Sequence, residues 1–210
     1  STNLRRICAS VINTPMLCAG AEFAVACIAL WLRRFESERL PLTALFAAAF
    51  FVAGTIHVPV GIGSVHLILN GMAGLFLGWA VFPAFLIALL LQVIFFSFGG
   101  FAVLGVNLCV MATPAVIAHY LFRSRLQPHM ALKDRLLVGI GAGVIGVGGA
   151  GALASFVLML DGGKSYLNLV WLLLVSHLPV FILDSIISVG VITLLGKMYP
   201  EVMNRAENVS

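Results

Sequence analysis

The residue types best suited to chemistry gather between His57 and His66, where two imidazoles and the Ser64 hydroxyl accompany Pro59, Gly61 and Gly63. Neutral imidazole ligates nickel, cobalt, copper and zinc, and Pro and Gly resist helix and hold an irregular backbone. The segment reads as a metal-holding loop, re-entrant or pore-lining, or as a connection that carries two histidines. Asn70, Gln92 and Asn107 follow in the next three apolar stretches. Each amide can orient a ligating imidazole by hydrogen bonding, and each can equally make a polar contact between helices.

Few other ionisable groups interrupt the apolar stretches: Glu22, His119, His177 and Asp184. Such a group near a bilayer centre costs about 2.5 to 3.5 kcal/mol on insertion scales, so each calls for a partner or a task. His177 and Asp184 stand seven residues apart, two helical turns, which puts them on one face of a helix. They form a polar seam toward another helix or a partner subunit, or two ordinary packing contacts. His119, four residues before Arg123, is expected to reach the interface in a structural role, and Glu22 has no evident partner in sequence. The chain contains no phosphate-binding P-loop, no HExxH, no GxSxG and no paired carboxylates. It therefore has no visible means of hydrolysing ATP or of catalysing a reaction, and any energy for transport comes from a partner.

Composition defines the elements that must position these groups. The 210 residues are 61% hydrophobic and 10% charged, with a mean hydropathy of +1.12, far from the roughly 25% charge of soluble domains. Apolar blocks near the ~20-residue length of a bilayer-crossing helix alternate with short charged or Gly/Pro clusters. The run from Phe85 to Phe96 is apolar on every face apart from Gln92, unlike the alternating strands of a membrane barrel. The expected fold is an all-α integral membrane protein with about seven transmembrane helices. The spans are Pro15 to Leu32, Leu42 to Ile56, Leu67 to Val81, Ala84 to Phe98, Ala102 to Phe122, Leu136 to Leu160, and Tyr166 to Leu195. This makes one membrane domain over residues 15–198, an extracytoplasmic amino-terminal segment 1–14 and a cytoplasmic tail 199–210. Cys8, Cys18, Cys27 and Cys109 lack CxxC spacing and read as small membrane-helix residues. Seven glycines between Gly139 and Gly151 permit very close helix packing.

Lys and Arg concentrate on cytoplasmic connections. With the amino terminus outside, Arg33, Arg34, Arg39, Arg123, Arg125, Lys133, Arg135, Lys197 and Arg205 fall on one side, and only Arg5, Arg6 and Lys164 on the other. That asymmetry puts the amino terminus and the His57–His66 loop outside and the carboxyl terminus in the cytoplasm.

From Gly63 to Arg123 the order GSVH, then Gly71, Gly74 and Gly78, then LLLQ, FGG and LGVN, with HLPVFILDSIISVGVITLL and YPEVM near the end, resembles the CbiM/NikM family. These are the cobalt- and nickel-specific substrate-binding (S) components of energy-coupling-factor (ECF) transporters. The resemblance implies an S-component-like bundle in the cell's inner (plasma) membrane that captures Co2+ or Ni2+ as transported substrate, with no organic cofactor. It implies a membrane coupling (T) component and cytoplasmic ATPase subunits as partners, within the lipid bilayer and without nucleic acid. It also makes His66 the loop ligand, with His57, Ser64, Asn70, Gln92 and Asn107 as auxiliary groups. Two positions depart from the family pattern. Asp184 stands where a Glu is usual, and Arg6 falls where family members carry a second ligating histidine after their first Met. A guanidinium offers only donors and cannot bind a cation; Cys8 is a substitute only as thiolate. The alternative is therefore a non-transporting family member that has lost these ligands and serves as a membrane scaffold or regulator.

Overall fold

The computed structural model describes residues 14–33, 37–60, 63–66, 69–97, 100–162, 168, 171 and 175–207. Eight helices appear among them: α1 (Thr14–Leu32), α2 (Leu40–Thr55), α3 (Asn70–Leu77), α4 (Val81–Phe96), α5 (Leu104–Phe122), α6 (Leu132–Gly162), α7 (Leu178–Met198) and α8 (Pro200–Glu207). Between α2 and α3 lies an antiparallel hairpin, β1 (His57–Val60) with β2 (Gly63–His66). Prolines cooperate with this order. Pro15, Pro41, Pro83 and Pro179 fall in the first turns of α1, α2, α4 and α7, where a missing N–H costs no helix hydrogen bond.

Five stretches are long and apolar enough to cross a membrane: Thr14–Leu32, Asn70–Phe96, Leu104–Arg125, Leu132–Leu160 and Leu178–Met198; Leu40–Thr55 is a shorter apolar helix. The protein is an all-α integral membrane protein whose short hairpin is the one sheet among the described residues.

Contacts give the helices their directions. Asn70 reaches Met111, Leu75 reaches His119 and Trp79 reaches Tyr120, so α3 and α5 run the same way. Phe50 stacks on Phe85 and Gly54 lies against Gln92, so α2 and α4 also run together. Gly141 meets Phe122 while Gly149 meets Pro114, and Gly139 meets Val189 while Gly148 meets Phe181. Helix α6 is therefore antiparallel to both α5 and α7. The starts of α2, α4 and α6 and the ends of α1, α5 and α7 therefore lie toward one end of the bundle. Arg33, Arg39, Arg123, Arg125, Lys133, Arg135 and Lys197 consequently share one end of the bundle, and the hairpin occupies the other.

Two expectations need correction. The third span is not a crossing. Helix α3 has eight residues, roughly 12 Å at 1.5 Å per residue against a ~30 Å core. It is bounded by Leu69 at φ 51° and Gly78 at φ 54°. Gly78 alone can take such a corner without a Cβ clash, and there the apolar Asn70–Phe96 stretch folds back on itself. All eight residues of α3 are buried inside the bundle. Residues 57–66 are instead a regular hairpin with His57 and His66 as Cα partners, and Val58 opposite Val65. β-branched residues favour that pleat, and the pairing runs to Val60 opposite Gly63. Helix α8 returns to the basic end of the bundle and buries Met203.

Candidate metal-capture site

The hairpin sets His57 and His66 opposite each other and Ser64 opposite Pro59. It follows α2 directly, with Thr55 as the last helical residue and β1 starting at His57. Downstream of it, Leu69 and Asn70 lie in the centre of the bundle, 8% and 0% exposed.

Four helices meet at that point. The Asn70 side-chain amide donates to the Met111 carbonyl of α5 at 3.1 Å and the Gly146 carbonyl of α6 at 3.0 Å. Its Oδ1 accepts from the Gly71 N–H at 2.9 Å. Asp184 of α7, fully buried, accepts from the Leu69 N–H through Oδ1 at 2.9 Å. A helix that begins inside apolar surroundings leaves N–H groups without intrahelical partners. Two of the amides at the start of α3 are satisfied by these side chains, and a carboxylate also favours a helix's positive end. The Met111 carbonyl belongs to the turn of α5 loosened by Pro114, which lies inside the helix and cannot donate to residue 110.

Glycines make the meeting close. A Cβ at Gly71 would strike the Ala142 carbonyl oxygen, one at Gly74 the Ala115 carbonyl oxygen, and one at Gly146 the backbone of Gly71. The tract in α6 thus serves the close packing expected of it.

The other flagged residues lie elsewhere. Gln92 is buried beside Gly54, and its Nε2 has no hydrogen-bond partner among the described residues. Asn107 is half-buried in the first turn of α5, at the hairpin end. His177 is the N-cap of α7 and half-buried, while Asp184 accepts from the Leu69 N–H. His119 does not reach the interface. It is 0% exposed, and its Nδ1 lies 3.0 Å from the Leu75 carbonyl, because α3 packs across α5 at that level. Its neighbour Tyr120 takes the interfacial position, accepting from Trp79 Nε1 at 2.9 Å beneath the Arg123 guanidinium, 4.9 Å from the ring. Glu22 faces away from the bundle, exposed, on the side of α1 opposite the buried Ala24 and Cys27. Arg6 and Cys8 lie outside the described residues, as do Lys164 and Tyr166. Among the described residues no group of three or more His, Cys, Asp or Glu side chains comes together.

Sequence reasoning missed Leu69 and the Met111 and Gly146 carbonyls, which act through their backbones. Pro114 inside an apolar helix and the crowding of glycines in α6 were the available signals.

These features define a polytopic helical membrane protein with a hairpin at one end anchored into a buried polar node. Residues 7–202 match the model of the CbiM family, the cobalt uptake substrate-specific transmembrane region, and the chain belongs to that family. It is 93% identical, over 95% of its length and 97% of the relative's, to a Haemophilus influenzae protein whose name assigns it provisionally to metal transport. It is 33% identical over 153 residues to the fused nickel transport protein NikMN of Rhodobacter capsulatus, covering 68% of this chain and 44% of that longer one. With the cobalt transport protein CbiM of Sorangium cellulosum it shares 23% identity over 89% of its own length and 87% of the relative's. No solved structure matches the chain significantly. The protein is a membrane component of a cobalt and nickel uptake family.

Proposed function

We propose that this chain is the substrate-capture subunit of an ECF-type transporter importing divalent cobalt or nickel. The supporting observation is the family match across residues 7–202 combined with a hairpin that pairs His57 with His66 at the end of the bundle away from the basic residues. His66 ligates the ion, and His57 and Ser64 flank it. Both metals accept imidazole nitrogen. The chain acts by binding, not by catalysis. A membrane coupling subunit and cytoplasmic ATPases supply the energy, consistent with the lack of a P-loop in this sequence. The outward Glu22 on α1, a helix with little of its surface buried, suits a partner in the bilayer. The non-transporting alternative draws on Arg6 alone, which lies just before the family match.

Cells expressing this chain together with coupling and ATPase subunits should accumulate nickel or cobalt, measured by elemental mass spectrometry. Cells lacking only this chain should not. The purified chain in liposomes should hydrolyse no ATP, and measurable hydrolysis would contradict the capture role.

The amino terminus and hairpin face outside, and the carboxyl terminus faces the cytoplasm of the cell's inner membrane, following the Lys and Arg asymmetry. Ser64→Cys in a background without other cysteines should react with an impermeant thiol reagent in intact cells. Reaction only after permeabilisation would invert the orientation.

A further inference from the structure

Leu69 holds φ 51° and ψ 18°, the left-handed region that a leucine seldom occupies without restraint. The restraint is visible. Its N–H donates at 2.9 Å to Asp184, 115 residues further along the chain. Leu69, the N-cap residue of α3, has no polar side chain with which to cap this end, and within α3 only Asn70 contributes one such bond, to the Gly71 N–H. Asp184 is 0% exposed, and its Oδ2 has no hydrogen-bond partner among the described residues, so among these residues the Leu69 bond is what a costly buried carboxylate is used for. Its helix is a firm post, because Gly148 and Gly143 of α6 lie against Phe181 and Ser185 on either side of it. Leu69 follows His66 by three residues, a reach of at most about 11 Å.

We propose that Asp184 is a positioning residue for the metal-capture hairpin: by fixing Leu69 in its left-handed turn, α7 sets the exit of β2 and hence the placement of His66. This rests on the metal-capture role of the hairpin. The acid is kept for aim and not for stability. Replacing a buried charge by an apolar side chain of similar volume is often neutral or stabilising for a fold, whereas losing a hydrogen bond that orients a ligand typically lowers metal affinity 10 to 100-fold.

The test compares two near-isosteric variants in detergent-purified protein. Asp184→Asn retains the Oδ1 acceptor, and Asp184→Leu has none. Three readouts are taken: thermal midpoint, backbone hydrogen exchange of the peptide spanning residues 57–69 without metal, and the affinity and visible absorption of bound Co2+. Asp184→Leu should match the parent's midpoint yet exchange at least tenfold faster in residues 57–69 only, bind Co2+ roughly 10 to 100-fold more weakly, and shift its absorption bands. Asp184→Asn should stay close to the parent in all three. Equal behaviour of the two variants, or exchange that rises evenly through the protein, would overturn the proposal. If the parent chain binds no Co2+, the metal-capture role fails while the exchange data still decide whether Asp184 holds the hairpin.

Discussion

Gly71→Ala is expected to lower the thermal midpoint of the detergent-purified protein by roughly 10 °C, and Gly71→Leu to leave no monodisperse protein. The added Cβ would strike the carbonyl oxygen of Ala142 in α6, a backbone atom that cannot swing aside as a side chain can. Overpacking of this kind costs about 3 kcal/mol, and each kcal/mol moves the midpoint of a chain this size by about 2 to 4 °C. Gly190 provides the control. It lies in the equally apolar α7 and a Cβ there meets nothing within 4 Å, so Gly190→Ala should melt like the parent. Gly148, which faces the movable Phe181 ring at 3.2 Å, should fall between the two. Size-exclusion profiles of heated extracts report all three. A Gly71→Ala midpoint equal to that of Gly190→Ala would mean that α3 does not pack against α6 as described.

His66→Ala is expected to abolish retention of nickel or cobalt with little change in folding, whereas His57→Ala should weaken it about 10 to 100-fold. The two histidines are Cα partners across the hairpin, and the capture role we propose makes His66 the ligand and His57 its neighbour. Equilibrium dialysis of the purified protein followed by metal analysis separates the outcomes. Tight binding that survives His66→Ala would mean that another group holds the ion. Absence of binding in the unmutated protein would favour the scaffold alternative raised by Arg6.

The class of this protein was legible in its composition, because apolar blocks of bilayer length admit only helices when every backbone group must be satisfied internally. The side on which charge collects was legible too. Arg33, Arg123, Lys133 and Lys197 read as one end from their spacing, and the helix directions put them together. The GSVH motif and its following glycines were enough to indicate the family, since Gly71 and Gly74 occupy positions where only a hydrogen fits.

What tertiary structure decided was the fate of the polar residues. In sequence Asn70 served equally as an orienting amide or a helix contact; its donors turn out to be held by Met111 and Gly146. His119 appeared interfacial because Arg123 is one turn away, yet the corner at Gly78 brings Leu75 across it and buries it. Asp184 seemed to belong with His177 on its own helix, and its bond is to Leu69. Periodicity within a helix says which residues share a face, but not which backbone that face will meet. That depends on where a distant segment stops being helical, and α3 stops at two residues with positive φ, one of them a leucine that local sequence gives no reason to place there.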